Sequence, residues 1–363
     1  MRIASFNVEN LFSRVKVMNL ESGSEGKEIL AEYSRLNTLL QEPVYTPHEQ
    51  AILDSIEQLG LNEKKKETEF VILRENRGHL LKRSQSGQLK LAAKGRGDFI
   101  GWLELKRDAV NEVAVQMTAK VIQEVKADVL GVIEAEDRIA LLRFNDQLLN
   151  ADYSGIMLID GNDPRGIDVG LLTKSGHLIE SIVSHVDDRE HGRRIFSRDC
   201  PEFTVRVSET TRILLLVNHF KSKLGPKAES DAHRKAQAKR VREIYDLRRS
   251  QGIDMIAVVG DLNDTPDSDP LQPLLSQGSD LRDIFDHAKF QGDEFPGTFG
   301  DGDEKIDYIL LSPKLFERVT RGGVLRKGVW GGKDGKLFPH FKEMKKAVHA
   351  ASDHAAIWAD IDL

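Results

Sequence analysis

Asparagine, aspartate, glutamate and histidine recur at the ends of short apolar runs along the 363-residue chain. Each run predicts a buried strand, and polar side chains at strand ends are where binding and catalysis are usually found. The residues are Asn7 and Glu9, Glu134, Asn218 and His219, Asp261 and Asn263, Asp307, and Asp353 with His354. One such residue alone would be an ordinary turn or cap. Six strand ends carrying the same residue types predict one shared site.

The chemistry of such a site is set by its oxygen-rich side chains. Carboxylate and amide oxygens are the ligands that a hard divalent cation prefers, so the predicted metal is Mg²⁺ or Mn²⁺. The chain has a single cysteine, Cys200, which argues against structural zinc and predicts a structural thiol. Neither a GxxxxGK[ST] run nor a strand-anchored GxGxxG occurs, so we expect no nucleotide cofactor bound in these two ways.

The composition is that of an ordinary globular protein, with 40% hydrophobic and 30% charged residues. No window approaches the roughly 18 consecutive apolar residues of a spanning helix, and no secretory signal is visible. We therefore expect no membrane association and a cytoplasmic location. The net charge of -6 argues against a chain that coats nucleic acid throughout. Basic residues are nevertheless concentrated in residues 74–96, 221–249 and 318–346.

Strand-like runs and helical patterns alternate along most of the chain. The predicted strands are residues 2–7, 128–133, 154–160, 167–173, 177–185, 202–207, 213–218, 254–260, 306–311, 316–325 and 356–361. The predicted helices are residues 27–40, 47–59, 108–126, 138–150 and 229–251. Mixed strands with few helices between them favour two packed sheets with helices outside, an α/β sandwich.

Residues 13–107 differ from the rest of the chain in their predicted secondary structure. Their two helical patterns are followed by four short strand-like runs, residues 69–73, 79–83, 88–92 and 99–105, separated by Gly/Ser turns. No Pro/Ser-rich linker divides the chain, so we interpret residues 1–363 as a single domain whose insertion, at about 13–107, contains helices and a basic β-hairpin. That hairpin either lies in a groove of nucleic acid or is a charged surface that contacts a partner.

Seven short motifs resemble, in order, those of the endonuclease/exonuclease/phosphatase superfamily, the group of deoxyribonuclease I, exonuclease III and the inositol polyphosphate 5-phosphatases. They are SFNVENL at 5–11, GVIE at 131–134, DVGLL at 168–172, NHFKSK at 218–223, GDLND at 260–264, IDYIL at 306–310 and SDH at 352–354. Each motif is weak alone, but seven in family order identify the chain as a member. The residues around His219 resemble those of a bacterial nuclease-like branch.

This resemblance implies a fold and a metal site. The fold is an α/β, four-layer sandwich of two facing mixed sheets with outer helices, as in deoxyribonuclease I. Asn7 and Glu134 are similar to the central metal ligands of the family. The resemblance places Glu9 near the metal and makes Asp353 a further carboxylate ligand.

The resemblance also implies two histidine–carboxylate pairs. His354 is similar to the family histidine that contacts the scissile phosphate, and Asp307 is implied to hold it in one tautomer. His219 resembles the second histidine of the deoxyribonuclease I branch. Asp168 lies in sequence where that branch has the acidic partner of this histidine.

Asp261 resembles the family residue that aligns or deprotonates the attacking water, and Asn263 resembles a donor to a phosphate oxygen. With a divalent cation these residues suit in-line attack of water on a phosphoester, because the transition state gathers negative charge on the phosphoryl oxygens. Family members act on several phosphoesters, so the motifs predict the reaction and not the substrate.

The substrate prediction depends on residues that flank the site in sequence. Lys221, Lys223 and Arg234 follow His219 and are predicted to bind phosphate, although Arg234 could equally lie on the solvated face of an amphipathic helix. We expect a nuclease acting on DNA. The alternatives are a phosphatase or phosphodiesterase for a small-metabolite, inositol or lipid phosphoester, and a non-catalytic binding module. The sequence leaves open DNA against RNA, internal against terminal cleavage, one metal against two, and the oligomeric state.

Overall fold

The computed structural model describes residues 1–20, 23–276 and 278–363, and the chain divides into two compact units. The first unit comprises Met1–Phe12, Val110–Lys223 and Ala228–Leu363, and the second comprises Ser13–Ala109 with Leu224–Lys227. The second unit includes the residues of the predicted insertion, about 13–107, and the interpretation of residues 1–363 as one domain with an insertion stays a prediction. Every residue predicted to line the site, except Arg234 on its neighbouring helix, stands in or beside a strand of the first unit.

A seven-stranded mixed sheet, the first sheet, contains both the earliest and the latest strand of the first unit. In spatial order its strands are Phe290–Gln291, Val319–Leu325, Ala356–Ile361, Arg2–Asn7, Val129–Ala135, Asp168–Lys174 and Tyr153–Ile159. Arg2–Asn7 pairs in parallel with Val129–Ala135 and antiparallel to Ala356–Ile361. This pairing brings the carboxyl ends of Arg2–Asn7 and Val129–Ala135 and the amino end of Ala356–Ile361 to the same edge of the sheet.

A six-stranded mixed sheet, the second sheet, supplies the other half of that edge. Its strands in spatial order are Leu178–Val183, Glu202–Arg206, Arg212–His219, Ile256–Asp261, Asp307–Leu311 and Arg282–Asp283. Arg212–His219 and Ile256–Asp261 run parallel, while Asp307–Leu311 runs antiparallel to the latter. The carboxyl ends of two strands therefore meet the amino end of the third.

The first unit has four layers because its central strands are apolar on both faces. Along Arg212–His219, Leu215 and Val217 pack into the core between the two sheets, whereas Leu214 and Leu216 pack against the outer helical layer. Each such side chain, when fully buried, stabilises the fold by about 1.5–3 kcal/mol. The longer helices of the outer layers are Glu112–Val125, Arg138–Leu148 and Lys227–Ser250. Thus the predicted α/β sandwich with two facing mixed sheets is confirmed.

The remaining elements of the first unit are short. Two α-helices span Gln272–Leu275 and Pro313–Phe316, and 3-10 helices span Asp269–Leu271, Ile284–Asp286 and Ala347–His349. A two-stranded ribbon joins Arg189–Glu190 to Arg193–Arg194. No helix within the described residues is both long enough and apolar enough to cross a membrane.

Two predicted element starts are corrected by local capping chemistry. The helix predicted at 108–126 begins only at Glu112, because Asn111 is its N-cap and accepts a 2.9 Å hydrogen bond from the Val113 amide. The residues before it form the strand Arg107–Ala109. The strand predicted at 316–325 begins at Val319, because Pro313 starts a short helix that ends at Phe316.

The second unit has its own apolar core beneath two helices and three ribbons. Its helices are Gly23–Leu39 and Glu49–Gln58, with 3-10 helices at Lys16–Asn19 and Thr46–His48. The ribbons pair Ser13–Val15 with Arg107–Ala109, Val71–Arg77 with Ile100–Leu105, and Leu81–Arg83 with Leu89–Leu91. Side chains from both helices, such as Leu36 and Ile52, share this core with Leu73 and Leu103 of the middle ribbon.

Candidate active site

Three predicted site residues stand side by side at the edge of the second sheet. His219 lies opposite Asp261 in the parallel pair, and Asp261 lies opposite Asp307 in the antiparallel pair. None of the three is more than 3% exposed. Buried polar side chains are costly unless they are hydrogen-bonded or serve a function. The strand register alone therefore places the imidazole of His219 and the carboxyl groups of Asp261 and Asp307 on three neighbouring strands, with Asp261 in the middle.

His354 is held by a chain of hydrogen bonds. Its Nδ1 lies 2.9 Å from Oδ2 of Asp307, and the same oxygen accepts a 2.7 Å hydrogen bond from the hydroxyl of Thr298. Burial alone would lower the pKa of His354, but the carboxylates of Asp307 and Asp261 outweigh it and raise the pKa well above its ordinary value. The Phe299 ring packs 4.9 Å from the imidazole, centroid to centroid. The structure thus brings together the two members of the first predicted pair.

Asp261 is the point on which the other polar side chains converge. Its Oδ1 accepts a 2.8 Å hydrogen bond from the Asn263 amide, and its Oδ2 accepts bonds from Nδ2 of Asn263 at 3.1 Å and Nδ2 of Asn7 at 3.3 Å. Oδ2 also lies 3.5 Å from Nε2 of His219 and 3.9 Å from Nε2 of His354. Burial, opposed by His354, raises the pKa of this carboxyl above its ordinary value.

His219 does not form the pair with Asp168 that the sequence predicts. Its Nε2 faces Oε1 of Glu134 at 3.3 Å, and its buried Nδ1 has no hydrogen-bond partner among the described residues. Oδ1 of Asp168 instead accepts a 2.7 Å hydrogen bond from the Gly161 amide. Burial, with a contribution from the nearby Arg198 guanidinium, lowers the pKa of His219 well below its ordinary value. The structure thus does not bring together the two members of the second predicted pair.

Left-handed backbone conformations concentrate at the strand ends of this site. Glu9, Asn10, Glu134 and Asn263 have φ values of 49°, 67°, 65° and 54°. Glu134 has no partner in the strand Asp168–Lys174, because Asp168 lies opposite Ala135 and Val169 lies opposite Ile133. This register shift is typical of a β-bulge, which changes the direction of a side chain. Such strained non-glycine residues cluster at functional sites. The backbone therefore supports a functional role for these four positions.

The side chains present fit a divalent cation. Glu134, His219 and Asp261 offer ligand atoms within 4.8 Å of one another, and so do Asp261, Asp307 and His354. Crowded carboxylates of this kind repel one another unless a cation lies among them. Glu9 and Asp353 belong to neither group, and the side chain of Asp353 is 50% exposed with Oδ1 3.6 Å from Nε2 of His354. The buried groups thus form the centre of the candidate site, and Asp353 lies at its exposed side.

Positive charge gathers beside His219. Arg198, only 1% exposed, places Nε 3.1 Å from Oδ2 of Asp163, which also pairs with Arg165 at 2.8 Å. Nη2 of Arg198 is buried and has no hydrogen-bond partner among the described residues. Burial, together with Arg165 and Arg198, lowers the pKa of Lys221 to about 8. Three cations and one carboxylate therefore make this side of the site electropositive.

The other two predicted phosphate-binding residues are engaged elsewhere. The buried Arg234 donates from Nε to Asp264 at 2.9 Å, from Nη1 to the carbonyl of Lys221 at 3.1 Å, and from Nη2 to Asp231. These donors hold the start of the helix Lys227–Ser250 against neighbouring loops, so the structure gives no support to the predicted role of Arg234 as a phosphate ligand. Lys223 is half exposed and pairs with Glu304 at 2.8 Å.

Residues 103–288, which are 186 of the 363, match the model of the Endonuclease/Exonuclease/phosphatase family. The chain belongs to this family. It is thus a hydrolase of the endonuclease/exonuclease/phosphatase superfamily, as the sequence motifs predict. No curated protein sequence matches the chain significantly.

Solved structures of the family share the fold. A family protein from Bacteroides thetaiotaomicron has 17% identity and a TM-score of 0.50, with 67% of this chain and 86% of that chain covered. A mannosyl-6-phosphatase from Bacteroides thetaiotaomicron has 18% identity and a TM-score of 0.51, with 68% and 90% covered. The fold of the first unit is therefore that of the endonuclease/exonuclease/phosphatase family.

Two features of this family member lie outside the sequence motifs. Thr298 orients Asp307, but it precedes that residue by nine positions in a loop without periodic signal. Arg165 and Arg198 join Asp163 although the three lie in two separate loops. The only signal for them in the sequence is a set of charged residues between strands, a pattern that is equally typical of a solvated loop.

Proposed function

We propose that this protein is a Mg²⁺- or Mn²⁺-dependent phosphodiesterase that hydrolyses nucleic acid, with DNA as the preferred substrate. The observation that carries the proposal is the convergence on Asp261. Two imidazole Nε2 atoms and two amide nitrogens lie within 3.9 Å of its Oδ2, and one imidazole is fixed by Asp307. In-line attack on a phosphate needs such a set, with one acceptor for the proton of water and several donors for phosphoryl oxygens.

Each of these side chains has a role in the proposed reaction. Asp261 accepts the proton of the attacking water as the new P–O bond forms, and the bond to the leaving oxygen breaks. His354 donates from Nε2 to a phosphoryl oxygen, because its Nδ1 is engaged by Asp307. His219 and Asn263 donate to the other non-bridging oxygen of the phosphodiester. The leaving oxygen takes a proton from solvent.

Glu134 and Asn7 would hold the divalent cation, with Glu9 and Asp353 as more exposed ligands. A bound cation would neutralise charge that develops on the phosphate. The proposal for these four residues is supported by the oxygen-rich donor set and by the strained backbone of Glu9 and Glu134. Removing a central ligand should therefore reduce metal response and hydrolysis together.

The preference for nucleic acid is supported by the positive charge beside His219. A polynucleotide presents phosphates on both sides of the one that is cleaved, and Arg165, Arg198 and Lys221 offer cationic charge where a neighbouring phosphate would lie. A small phosphomonoester has no second phosphate for these residues. The same fold serves unrelated phosphoesters, so the substrate class must be tested directly.

The test is hydrolysis of supercoiled plasmid, labelled single-stranded DNA, RNA, a generic bis-phosphodiester and a phosphomonoester, each with Mg²⁺, Mn²⁺ or chelator. We expect metal-dependent nicking of plasmid, and a loss on the order of 10³-fold in Asp261→Asn and His354→Ala. Glu317→Gln and His287→Ala, matched changes at side chains outside the candidate site, should retain activity. Unchanged cleavage in the first two variants, or hydrolysis of the phosphomonoester alone, would overturn the proposal.

A further inference from the structure

The second unit carries a charged surface that the proposed reaction does not use. It is the ribbon of Leu81–Arg83 and Leu89–Leu91 with its flanks, residues 77–96, which we call the basic hairpin. These twenty residues contain six Lys/Arg and no Asp/Glu, within a chain whose net charge is -6. The cations are Arg77, Lys82, Arg83, Lys90, Lys94 and Arg96. A segment this uniform in charge indicates an anionic partner.

The strand register sets two of these cations against each other. Lys82 lies directly opposite Lys90, and both are exposed. Their neighbours Leu81 and Leu91, also opposite each other, are buried in the core of the unit. Alternation along a strand therefore directs both lysines to the outer face. Like charges directly opposite each other destabilise a ribbon, so this pair works against folding unless an external anion lies across it.

The basic hairpin also leaves half of its charge without internal compensation. Within the described part of the chain, no ion pair or hydrogen bond involves the ammonium group of Lys82, Lys90 or Lys94, although the backbone amide of Lys94 donates to the Asp98 carboxylate at 3.0 Å. Arg83 pairs with Glu63, while Arg77 and Arg96 donate to the carbonyls of Gly97 and Gly101. The cations of the arginines are thus partly engaged, whereas the three lysines present theirs to solvent.

The side chains of the turn that joins the two strands of the basic hairpin favour one class of polyanion. Residues 84–88 read Ser-Gln-Ser-Gly-Gln, which supplies hydroxyl and amide donors and no apolar side chain. A loop that inserts into a membrane surface would need apolar residues. Hydroxyl, amide and lysine donors are instead those that contact the sugar-phosphate backbone, and a two-stranded ribbon fits the major groove of a duplex.

We propose that the basic hairpin binds the sugar-phosphate backbone of a nucleic-acid duplex, independently of hydrolysis. The choice of nucleic acid as the polyanion rests on the proposed function, but binding is measurable without cleavage. The contacts are ionic and made by exposed lysines, so affinity should fall steeply with salt.

The experiment is fluorescence anisotropy of labelled DNA duplex, RNA duplex and single-stranded DNA with the full chain in chelator, over a range of salt concentrations. Lys82→Gln/Lys90→Gln should weaken duplex binding about tenfold or more and reduce the salt slope by about 2, since two phosphate contacts are lost. Lys27→Gln/Arg35→Gln, which removes two exposed cations from a helix of the same unit, should bind like the unchanged protein. The melting temperature of the hairpin variant should stay equal or rise, because a repulsive pair is removed.

Three results would overturn the inference. They are unchanged duplex binding in Lys82→Gln/Lys90→Gln, equal weakening in Lys27→Gln/Arg35→Gln, and binding of single-stranded DNA but of neither duplex. Loss of binding at Lys94→Gln, outside the paired strands, would support it even if the double variant lost its fold. If the protein binds duplex but hydrolyses none of the tested nucleic acids, the proposed function is wrong and this inference is still supported.

Discussion

Thr298 donates a 2.7 Å hydrogen bond to Oδ2 of Asp307, the same oxygen that lies 2.9 Å from Nδ1 of His354. The hydroxyl oxygen of Thr298 also accepts from the amides of Ile306 and Asp307, at 3.2 and 3.1 Å. The Thr298 hydroxyl therefore holds Asp307 at two points, its carboxylate and its backbone amide. Since Asp307 in turn orients His354, Thr298 is a positioning residue for the imidazole.

Replacing Thr298 with valine should reduce kcat about tenfold and leave KM largely unchanged. Valine keeps the shape but leaves the amides of Ile306 and Asp307 without the hydroxyl acceptor and removes one of the two hydrogen bonds to Oδ2 of Asp307, which costs about 1–3 kcal/mol of stability. Thr298→Ser retains the hydroxyl and should restore most of kcat. Steady-state kinetics on the best substrate of the hydrolysis panel would measure both. A Thr298→Val variant with full kcat would show that the hydroxyl is only structural.

Divalent cations should raise the melting temperature of the protein. Binding to the folded state alone stabilises by about 2.7 kcal/mol when the free metal is at 100 times its Kd. Glu134→Gln should abolish most of this shift, because it removes a carboxylate from the buried cluster. Glu317→Gln, an exposed carboxylate at the far end of the second sheet, should keep the full shift. Differential scanning fluorimetry with Mg²⁺, Mn²⁺ and chelator measures it, and an equal response in both variants would argue against Glu134 as a ligand.

His185 should stabilise the fold more at low pH than at high pH. Burial lowers its pKa, but hydrogen bonds to Glu202 at 3.0 Å and Asp188 at 2.9 Å outweigh burial and raise the pKa above 6.5. A group whose pKa is raised by folding contributes fully below its unfolded pKa, and the contribution is lost as pH rises through the folded pKa.

The free energy of unfolding of His185→Gln should thus differ from that of the unchanged protein by more at pH 5.5 than at pH 9, by on the order of 1 kcal/mol. Urea titrations of both proteins at each pH measure the difference, and effects of other groups cancel in the comparison. His191→Gln, at an exposed histidine, serves as control. A penalty that grows with pH would contradict the assignment of Glu202 and Asp188 as stabilising partners.

Arg234→Ala should reduce stability rather than substrate affinity. The guanidinium is buried and pairs with Asp264 and Asp231, so its removal leaves an unpaired carboxylate that costs about 3–5 kcal/mol. Chemical denaturation should detect this loss, whereas KM of the folded fraction should change less than twofold. A stable variant with a strongly raised KM would restore Arg234 to the phosphate-binding set.

The strands that carry the site could be predicted because their apolar runs are continuous and end at polar residues. Val129–Ala135, Arg212–His219 and Ile256–Asp261 are buried on both faces, so the sequence marks their ends within two residues. Strand register then brings His219, Asp261 and Asp307 into contact without further information. The fold and the centre of the site were accessible for this reason.

Partner choice among the charged residues could not be predicted in the same way. The Gly161 amide donates a hydrogen bond to the Asp168 carboxylate, and this contact depends on how the loop that contains Gly161 packs. The helix Lys227–Ser250 buries Arg234 and Gln237 while Leu247 is 51% exposed, so these positions depart from a simple amphipathic pattern. The buried guanidinium of Arg234 is stabilised by an ion pair with Asp264, which lies thirty residues away in the sequence. Long-range pairs of this kind leave no periodic trace in the sequence.

The pairing of Arg2–Asn7 with Ala356–Ile361, in register from Ser5 opposite Ile357, has a consequence for the timing of activity during protein synthesis. Asn7 leaves the ribosome long before His354, and the strand after His354 emerges only when synthesis has passed residue 361. Until then one side of Arg2–Asn7 has no neighbouring strand, and Asp261 lacks the second of its two imidazole neighbours, that of His354. Incomplete and prematurely terminated chains would therefore lack part of the candidate site.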